Sequence, residues 1–369
     1  MAVGQAIADG QMIRYGTGAN FTARFEEELC DYIGAGHALT VNSGTNALVA
    51  ALAAAGIGPG DEVLVPAYTW MSTAVAPVQV GAVPILVDID ETLTIDPEDI
   101  RRKITPYTRA IIPVHMVNAP CDMDAILSIA KEHGLIVIED ACQAVGVRYK
   151  DKYCGAIGDL GAFSFNKFKN VNIGEGGAVI TNDERYYIRA RSYHDLGSMI
   201  RGHGDRMNEP EFIGMNMKVT EIQGAMLRVQ LRKLKPVMRQ MQKRRAELAG
   251  ILDTAKDFRV TPHNDLAHAV SLSVLAPTKE KAIALTGQRG VFNRLRDSSK
   301  HVYTNWEPLM AKRTFHPKMN PWSWAKREIT YTPDMCARTL DILDRTCIIN
   351  LGLKYPAPLM QMVARKLAA

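Results

Sequence analysis

The sequence predicts an α/β protein: a three-layer large domain on a mostly parallel sheet, followed by a smaller α+β C-terminal domain. Three observations predict it. From about Gly34 to Asp183, short β-branched runs alternate with amphipathic or Ala-rich stretches, the pattern of strand–helix–strand units. After Thr220 the pattern changes to a long basic helix, and beyond it short strands and helices recur on a smaller scale. A chain of 369 residues, 47% hydrophobic and 22% charged, is long and apolar enough for two packed cores.

The elements follow in order. Residues 38–42 read as a strand leading into a helix from Thr45, residues 61–65 into one near Ser72, and residues 83–87 into one near Pro97. Residues 109–114 lead into a helix over 122–132, and 135–139 is a fifth strand. Two more short strands, 161–165 and 177–181, flank a glycine-rich turn. In the long helix, Ile222, Ala225, Met226, Val229 and Leu231 to Leu234 form an apolar stripe beneath many Arg and Lys. A strand over 269–275, a helix over 278–288 and a terminal helix over 356–367 complete the small domain. Trp306, Trp322 and Trp324 fall in an irregular Pro- and His-containing stretch that reads as loop rather than core. The expected division is an arm over 1–14, a large domain with connecting helix over 15–250 and a small domain over 251–369.

Composition narrows the function. Forty-four Lys and Arg against 39 Asp and Glu give a net charge of +5, interspersed rather than gathered into a run. That permits an anionic ligand without calling for nucleic acid. No apolar stretch reaches the roughly 18 residues of a membrane span, and the first residues lack the continuous apolar core of a secretory signal. A cytoplasmic protein is expected. Six cysteines, with no C-x-x-C pair or His-flanked cluster, indicate neither a metal site nor a disulfide framework.

Three places carry chemistry. At Asn42-Ser43-Gly44-Thr45-Asn46 a strand ends and a helix begins; unpaired N–H groups, a permissive Gly44 and the Thr45 hydroxyl there make a phosphate cup, although Ser43 or Thr45 as a plain helix cap explains the same residues. At Glu139-Asp140-Ala141-Cys142-Gln143 two acids follow the apolar run 135–138, at the strand end where open α/β sheets bind ligands. Asp140 can partner a cationic ring nitrogen there and Gln143 a neighbouring oxygen. The third is the stretch 163–177, with Ser164 on a strand, Lys169 five residues on and three glycines after it. A lysine held on such a loop suits imine formation; Lys167, two residues away, has the same chemistry. Phosphate anchor, acid and amine, in that order, form the set pyridoxal phosphate requires.

These residues resemble the DegT/DnrJ/StrS family of pyridoxal-phosphate-dependent sugar and aminocyclitol aminotransferases, of the aspartate-aminotransferase-like fold. The likeness runs from Gly16-Thr-Gly-Ala-Asn-Phe21 to the C-terminal Arg338–Arg345. It is most specific at Ser43 to Leu48, Pro66-Ala-Tyr-Thr-Trp70, Glu139 to Gln143, the Ser164-to-Lys169 spacing before Gly174-Glu-Gly-Gly177, and Gly214-Met-Asn216 with Thr220-Glu221. The resemblance implies that Lys169 carries the cofactor as an internal aldimine and that Asp140 holds the ring nitrogen protonated. Gln143 would contact the phenolic oxygen, Ser164, Gly44 and Thr45 the phosphate, and Trp70 the ring face. Asn216 would reach the phosphate site of a neighbouring subunit, which implies a homodimer with shared active sites.

The implied reaction is ping-pong transfer of an amino group from glutamate or glutamine to a keto or aldehyde sugar, possibly a keto-sugar acid or a cyclitol. Two stretches depart from the family pattern: His115-Met-Val-Asn-Ala-Pro-Cys-Asp-Met-Asp124, and Gly214-Met-Asn-Met-Lys218 where Gly-Tyr-Asn-Tyr-Arg is usual. Together with Ser192-Tyr-His-Asp195 and His316 to Pro321 they are similar to the subgroup that aminates a free keto-sugar acid. The alternatives are a dehydratase on the same cofactor, whose relatives carry histidine in place of the imine lysine, and a non-catalytic cofactor-binding regulator.

Overall fold

The computed structural model describes residues 2–10, 12–15, 20–197 and 212–369. Residues 16–19, where the family likeness begins, lie outside them. The strands in chain order are β1 (His37–Val41), β2 (Glu62–Pro66), β3 (Val83–Val87), β4 (Thr108–Ile111), β5 (Ile136–Asp140), a small hairpin β6 (Arg148–Tyr149) and β7 (Lys152–Tyr153), β8 (Leu160–Ser164) and β9 (Gly177–Thr181). A second group comprises β10 (Arg259–Val260), β11 (Ser273–Leu275), β12 (Val291–Arg294) and β13 (Thr346–Ile349).

The large sheet has the order β1-β9-β8-β5-β4-β2-β3. Every neighbouring pair is parallel except the two that involve β9, which runs against both β1 and β8. Strands β2, β3, β8 and β9 are buried at every position, as their largely apolar sequences require in a sheet covered on both faces; Glu62, which opens β2, is buried in an ion pair with Arg327. The small sheet, ordered β10-β11-β13-β12, is antiparallel throughout. It shares an apolar cluster with Leu248 and Leu252 at the end of the long helix and with Met360, Val363 and Leu367 of the helix Ala357–Ala368.

The long helix spans Glu221–Leu252 and starts at a capping box: the Thr220 hydroxyl accepts the Gln223 N–H while Gln223 Oε1 accepts the Thr220 N–H at 3.0 Å. Its buried stripe is Ala225, Leu227, Leu231, Leu234 and Met238, one step round from the expected one, so that Val229 faces outward. The strand expected over 269–275 is paired only from Ser273, because Asp265 caps a 3-10 turn over Leu266–His268 just before it. Trp306 also departs from expectation. It is fully buried in the large core with its indole N–H donated to Lys300 O at 2.7 Å; once that donor is satisfied, a loop tryptophan packs like any large apolar group. Trp322 and Trp324 are partly exposed.

The parallel strands place four loop starts along one edge of the sheet. Ser43 and Gly44 follow β1, Ala67 to Trp70 follow β2, Asp140 closes β5 and Ser164 closes β8. These are carboxyl ends, where a doubly wound sheet leaves its ligand crevice. No helix among the described residues is long and apolar enough to cross a membrane, and no group of metal-ligating side chains occurs among them.

Candidate active site

A cavity of about 1090 Å³ opens along this edge, walled on one side by Gly44, Thr45, Trp70, Asp140, Gln143, Ser164 and Lys169. The small sheet closes the other side with Ser271, Phe292, Asn350 and their neighbours. Seven of the eight site residues expected from sequence therefore meet in one place. Asn216 does not: it is exposed at the approach to the long helix, paired through its backbone with Asp195.

The cup forms as its residues dictate. Ser43 caps the helix Gly44–Ala54, its hydroxyl accepting the Asn46 N–H at 3.1 Å, so the capping role and a phosphate-facing helix start coexist. Thr45 donates to Ser72 at 2.8 Å. Gly44 is required by close approach: a Cβ there would lie 2.7 Å from Ser164 Cβ and 2.8 Å from Cys142 Sγ.

Asp140 is buried at the end of β5. Its Oδ2 accepts the Thr73 hydroxyl at 2.7 Å and its Oδ1 the Cys142 N–H at 3.1 Å, and no cationic side chain among the described residues pairs with it. A buried carboxylate held only by neutral donors calls for a cation from elsewhere. Burial and the neighbouring Asp140 push the Cys142 thiol well above its ordinary range, so it stays protonated. Gln143 Oε1 accepts the Val117 N–H at 3.2 Å, leaving the amide NH2 as the group available to the cavity.

Lys169 sits on a loop pinned at its base by pairing of Asn166 with Gly174, and its own N–H is donated to Asn166 O at 2.9 Å. Its amine has no hydrogen bond or ion pair among the described residues, whereas Lys167 lies outside the cavity wall, exposed, with its amine 4.8 Å from the centre of the Phe168 ring. The two lysines that sequence chemistry left open are thus separated by position. Trp70 is 45% exposed and meets the His301 ring edge-on, centroids 5.1 Å apart. Burial, with Lys169 nearby, holds the His301 imidazole below its ordinary pKa, and its Nδ1 is bound to Ser298 O at 2.9 Å.

Other sequence candidates resolve away from the cavity. His115 is fully buried; its Nε2 meets Glu139 at 2.8 Å and its Nδ1 accepts the Cys121 N–H at 3.1 Å. Glu139 in turn accepts three backbone N–H groups, from Gly155, Ile157 and Gly158, so the pair braces the sheet edge. His194 is buried between Tyr15 and the Arg191 carbonyl. Lys218 is paired with Asp195. Sequence reasoning missed Thr69, Thr73 and His301; the first two were visible as hydroxyls four apart at a strand-to-helix turn.

A model of the DegT/DnrJ/EryC1/StrS aminotransferase family matches residues 2–339. The chain belongs to this family. It is 44% identical over 273 residues to the spore coat polysaccharide biosynthesis protein SpsC of Bacillus subtilis (strain 168), covering 70% of this chain and 69% of that protein. GDP-perosamine synthase of Caulobacter vibrioides is 42% identical over 218 residues, 58% of this chain and 57% of that protein. The crystal structure of 3-amino-5-hydroxybenzoic acid (AHBA) synthase superposes with a TM-score of 0.82 at 28% identity, covering 100% of this chain and 94% of that one. The family is pyridoxal-phosphate-dependent, and the chain is an enzyme of its sugar aminotransferase class.

Proposed function

We propose that this aminotransferase binds pyridoxal phosphate in the cavity and moves an amino group from glutamate or glutamine to a keto or aldehyde sugar. The observation that carries the reading is the meeting of an unpaired lysine, a cation-less buried carboxylate and a helix-start cup in one cavity. The donor set fits the cofactor. Gly44, Thr45 and Ser164 would hold its phosphate, Asp140 its ring nitrogen, the Gln143 amide its phenolic oxygen and Trp70 its ring face. Bound there, pyridoxal phosphate supplies a carbonyl carbon for the amine and a cationic ring that accepts electrons.

The chain's own residues supply the rest. Lys169 would be the amine that holds the cofactor, and its free amine would serve as the base that accepts the proton from the donor's α-carbon and hands it on. Asp140, fixed by Thr73 and the Cys142 N–H, would face the ring nitrogen and favour its cationic form. Ser271, Phe292 and Asn350 form the facing wall of the same cavity, where a substrate would lie against them. A lysine at position 169, rather than a histidine, favours amino transfer over dehydration.

A second copy completes the site in this reading. Asn216 lies outside its own chain's cavity among exposed apolar residues: Ile213 at 92%, Met215, Leu196 and Ile13. Such a patch is a place for a partner surface, and Asn216 would act in the partner's phosphate site.

A half-reaction tests the function. Purified holoenzyme is mixed with a panel of amino donors while the cofactor's visible absorbance is followed. Glutamate or glutamine is expected to discharge the visible band, and a keto sugar to restore it. No response to any donor overturns the reading.

A further inference from the structure

Two threonine hydroxyls stand behind Asp140, and neither is reached by solvent. Thr73 Oγ1 lies 2.7 Å from Asp140 Oδ2, 2.7 Å from Thr69 Oγ1 and 3.1 Å from Trp70 O. Both threonines are fully buried. Each hydroxyl owns one proton, so these contacts cannot all be donations by Thr73. Were Thr73 to donate to Trp70 O, Asp140 Oδ2 would face a bare oxygen lone pair at 2.7 Å. Trp70 O does not need that proton, because it already accepts the Thr73 backbone N–H at 3.0 Å. Thr69 Oγ1 also lies 3.5 Å from Trp70 O, a much longer contact than its 2.7 Å to Thr73; the arrangement that gives both 2.7 Å contacts a proton is directional: Thr69 donates to Thr73, and Thr73 donates to the carboxylate. Serial hydrogen bonds of this kind polarise one another toward the terminal acceptor.

The relay is also fixed in space. Thr69 N–H is donated to His301 O and Met71 N–H to Lys300 O, at 3.0 and 3.1 Å, while Tyr303 N–H returns to Ala67 O. The loop after β2 is thereby tied to the segment that carries His301 into the cavity wall. Thr73 lies in the first turn of the helix Ser72–Gln79, and Thr69, in the loop just before that helix, brings its hydroxyl to 2.7 Å from it.

We propose that Thr73, backed by Thr69, is a positioning residue that holds the Asp140 carboxylate aimed at the cationic nitrogen of the bound ring. The proposal rests on the cofactor reading above. It goes beyond it by assigning a role to two buried hydroxyls: Thr73, which is not in the cavity wall and meets Asp140 directly, and Thr69, which is in that wall and meets Asp140 through Thr73.

The test uses the full chain and four variants, T73V, T73S, T69V and T69V/T73V. Pyridoxal phosphate affinity is measured by titrating apo-protein, and kcat/KM is followed against pH. A hydrogen bond to a charged group is a strong one, so T73V is expected to weaken cofactor binding about tenfold. With the carboxylate less well aimed, kcat/KM falls by a similar factor across the pH range. T73S restores both, within about twofold. T69V alone gives a smaller loss, about threefold, and adding T69V to T73V costs nothing further, because the second hydroxyl acts only through the first.

A T73V enzyme that binds the cofactor like wild type with unchanged kcat/KM overturns the relay, as does a T73S enzyme no better than T73V; so does a T69V loss that persists undiminished in the T73V background. Should T73V fail to fold, T69V against T69S carries the same comparison. If the wild-type chain itself shows no saturable binding of pyridoxal phosphate, the cofactor reading falls instead, which separates the two failures.

Discussion

At the scale of single residues, charge placement without compensation is what marks the site. Asp140 has two neutral donors and no cation, and Lys169 has no anion, among the described residues. An Asp140→Asn enzyme keeps the shape but has one acceptor oxygen in place of two, so it keeps only one of the Cys142 and Thr73 contacts; it is expected still to bind pyridoxal phosphate yet lose turnover by about 100-fold or more, the scale of removing a preorganised charge from an active site. Spectrophotometric cofactor loading alongside steady-state rates checks this; full turnover by the D140N enzyme would remove Asp140 from its assigned role. Gly44→Ala places a methyl against Ser164 and Cys142 at distances side chains do not tolerate. It is expected to cost about 1–3 kcal/mol of stability by overpacking, read from chemical denaturation, and to weaken phosphate-dependent cofactor binding as well.

His194 gives a pH prediction at the same scale. Burial, with Arg14 beside it, holds its imidazole down at about 3 from an ordinary 6.5. The folded state keeps it neutral, and the unfolded state takes up a proton below about 6.5. Stability from this group is complete above that value and is lost as pH falls from 6.5 toward 3. Between about pH 7 and pH 5 the chain is expected to lose about 2 kcal/mol through His194, measured as a fall in denaturation midpoint. A His194→Gln variant that shows the same acid slope would show that the slope comes from other groups.

At the scale of elements, helix starts and strand ends carried nearly all the legible information. The strand-turn-helix at Ser43 and the apolar run ending in Asp140 can be read from residue order because local rules govern them: a cap, a glycine, an acid after a buried strand. The burial of Trp306 and the outward face of Val229 could not be read that way, since they depend on which distant surface each element meets. Thr73 belongs to the same class; its contact with Asp140 spans 67 positions in the chain. The local rules also make a prediction at Thr220, whose hydroxyl and backbone close a capping box on the 32-residue helix. Thr220→Ala is expected to destabilise the protein by about 1 kcal/mol, seen in thermal or urea unfolding, while activity per folded molecule stays within about twofold of wild type.

At the scale of the whole molecule, the position of Asn216 becomes decisive. Seven expected site residues line one cavity, and the eighth stands on the surface beside the exposed Ile213, Met215, Leu196 and Ile13. If Asn216 serves the neighbouring copy, K169A and N216A are defects of different sites in a mixed dimer. One site then combines both defects, while the other has a normal Lys169 from one chain and a normal Asn216 from the other. Random mixing of the two variants makes half the dimers mixed, so about a quarter of wild-type activity is expected where each variant alone has little. Co-expression of differently tagged K169A and N216A chains, with isolation of the doubly tagged species, measures this directly. A doubly tagged dimer no more active than its parents would place Asn216 outside the partner's site, and a monomer by size-exclusion chromatography with full activity would remove the need for a second copy altogether.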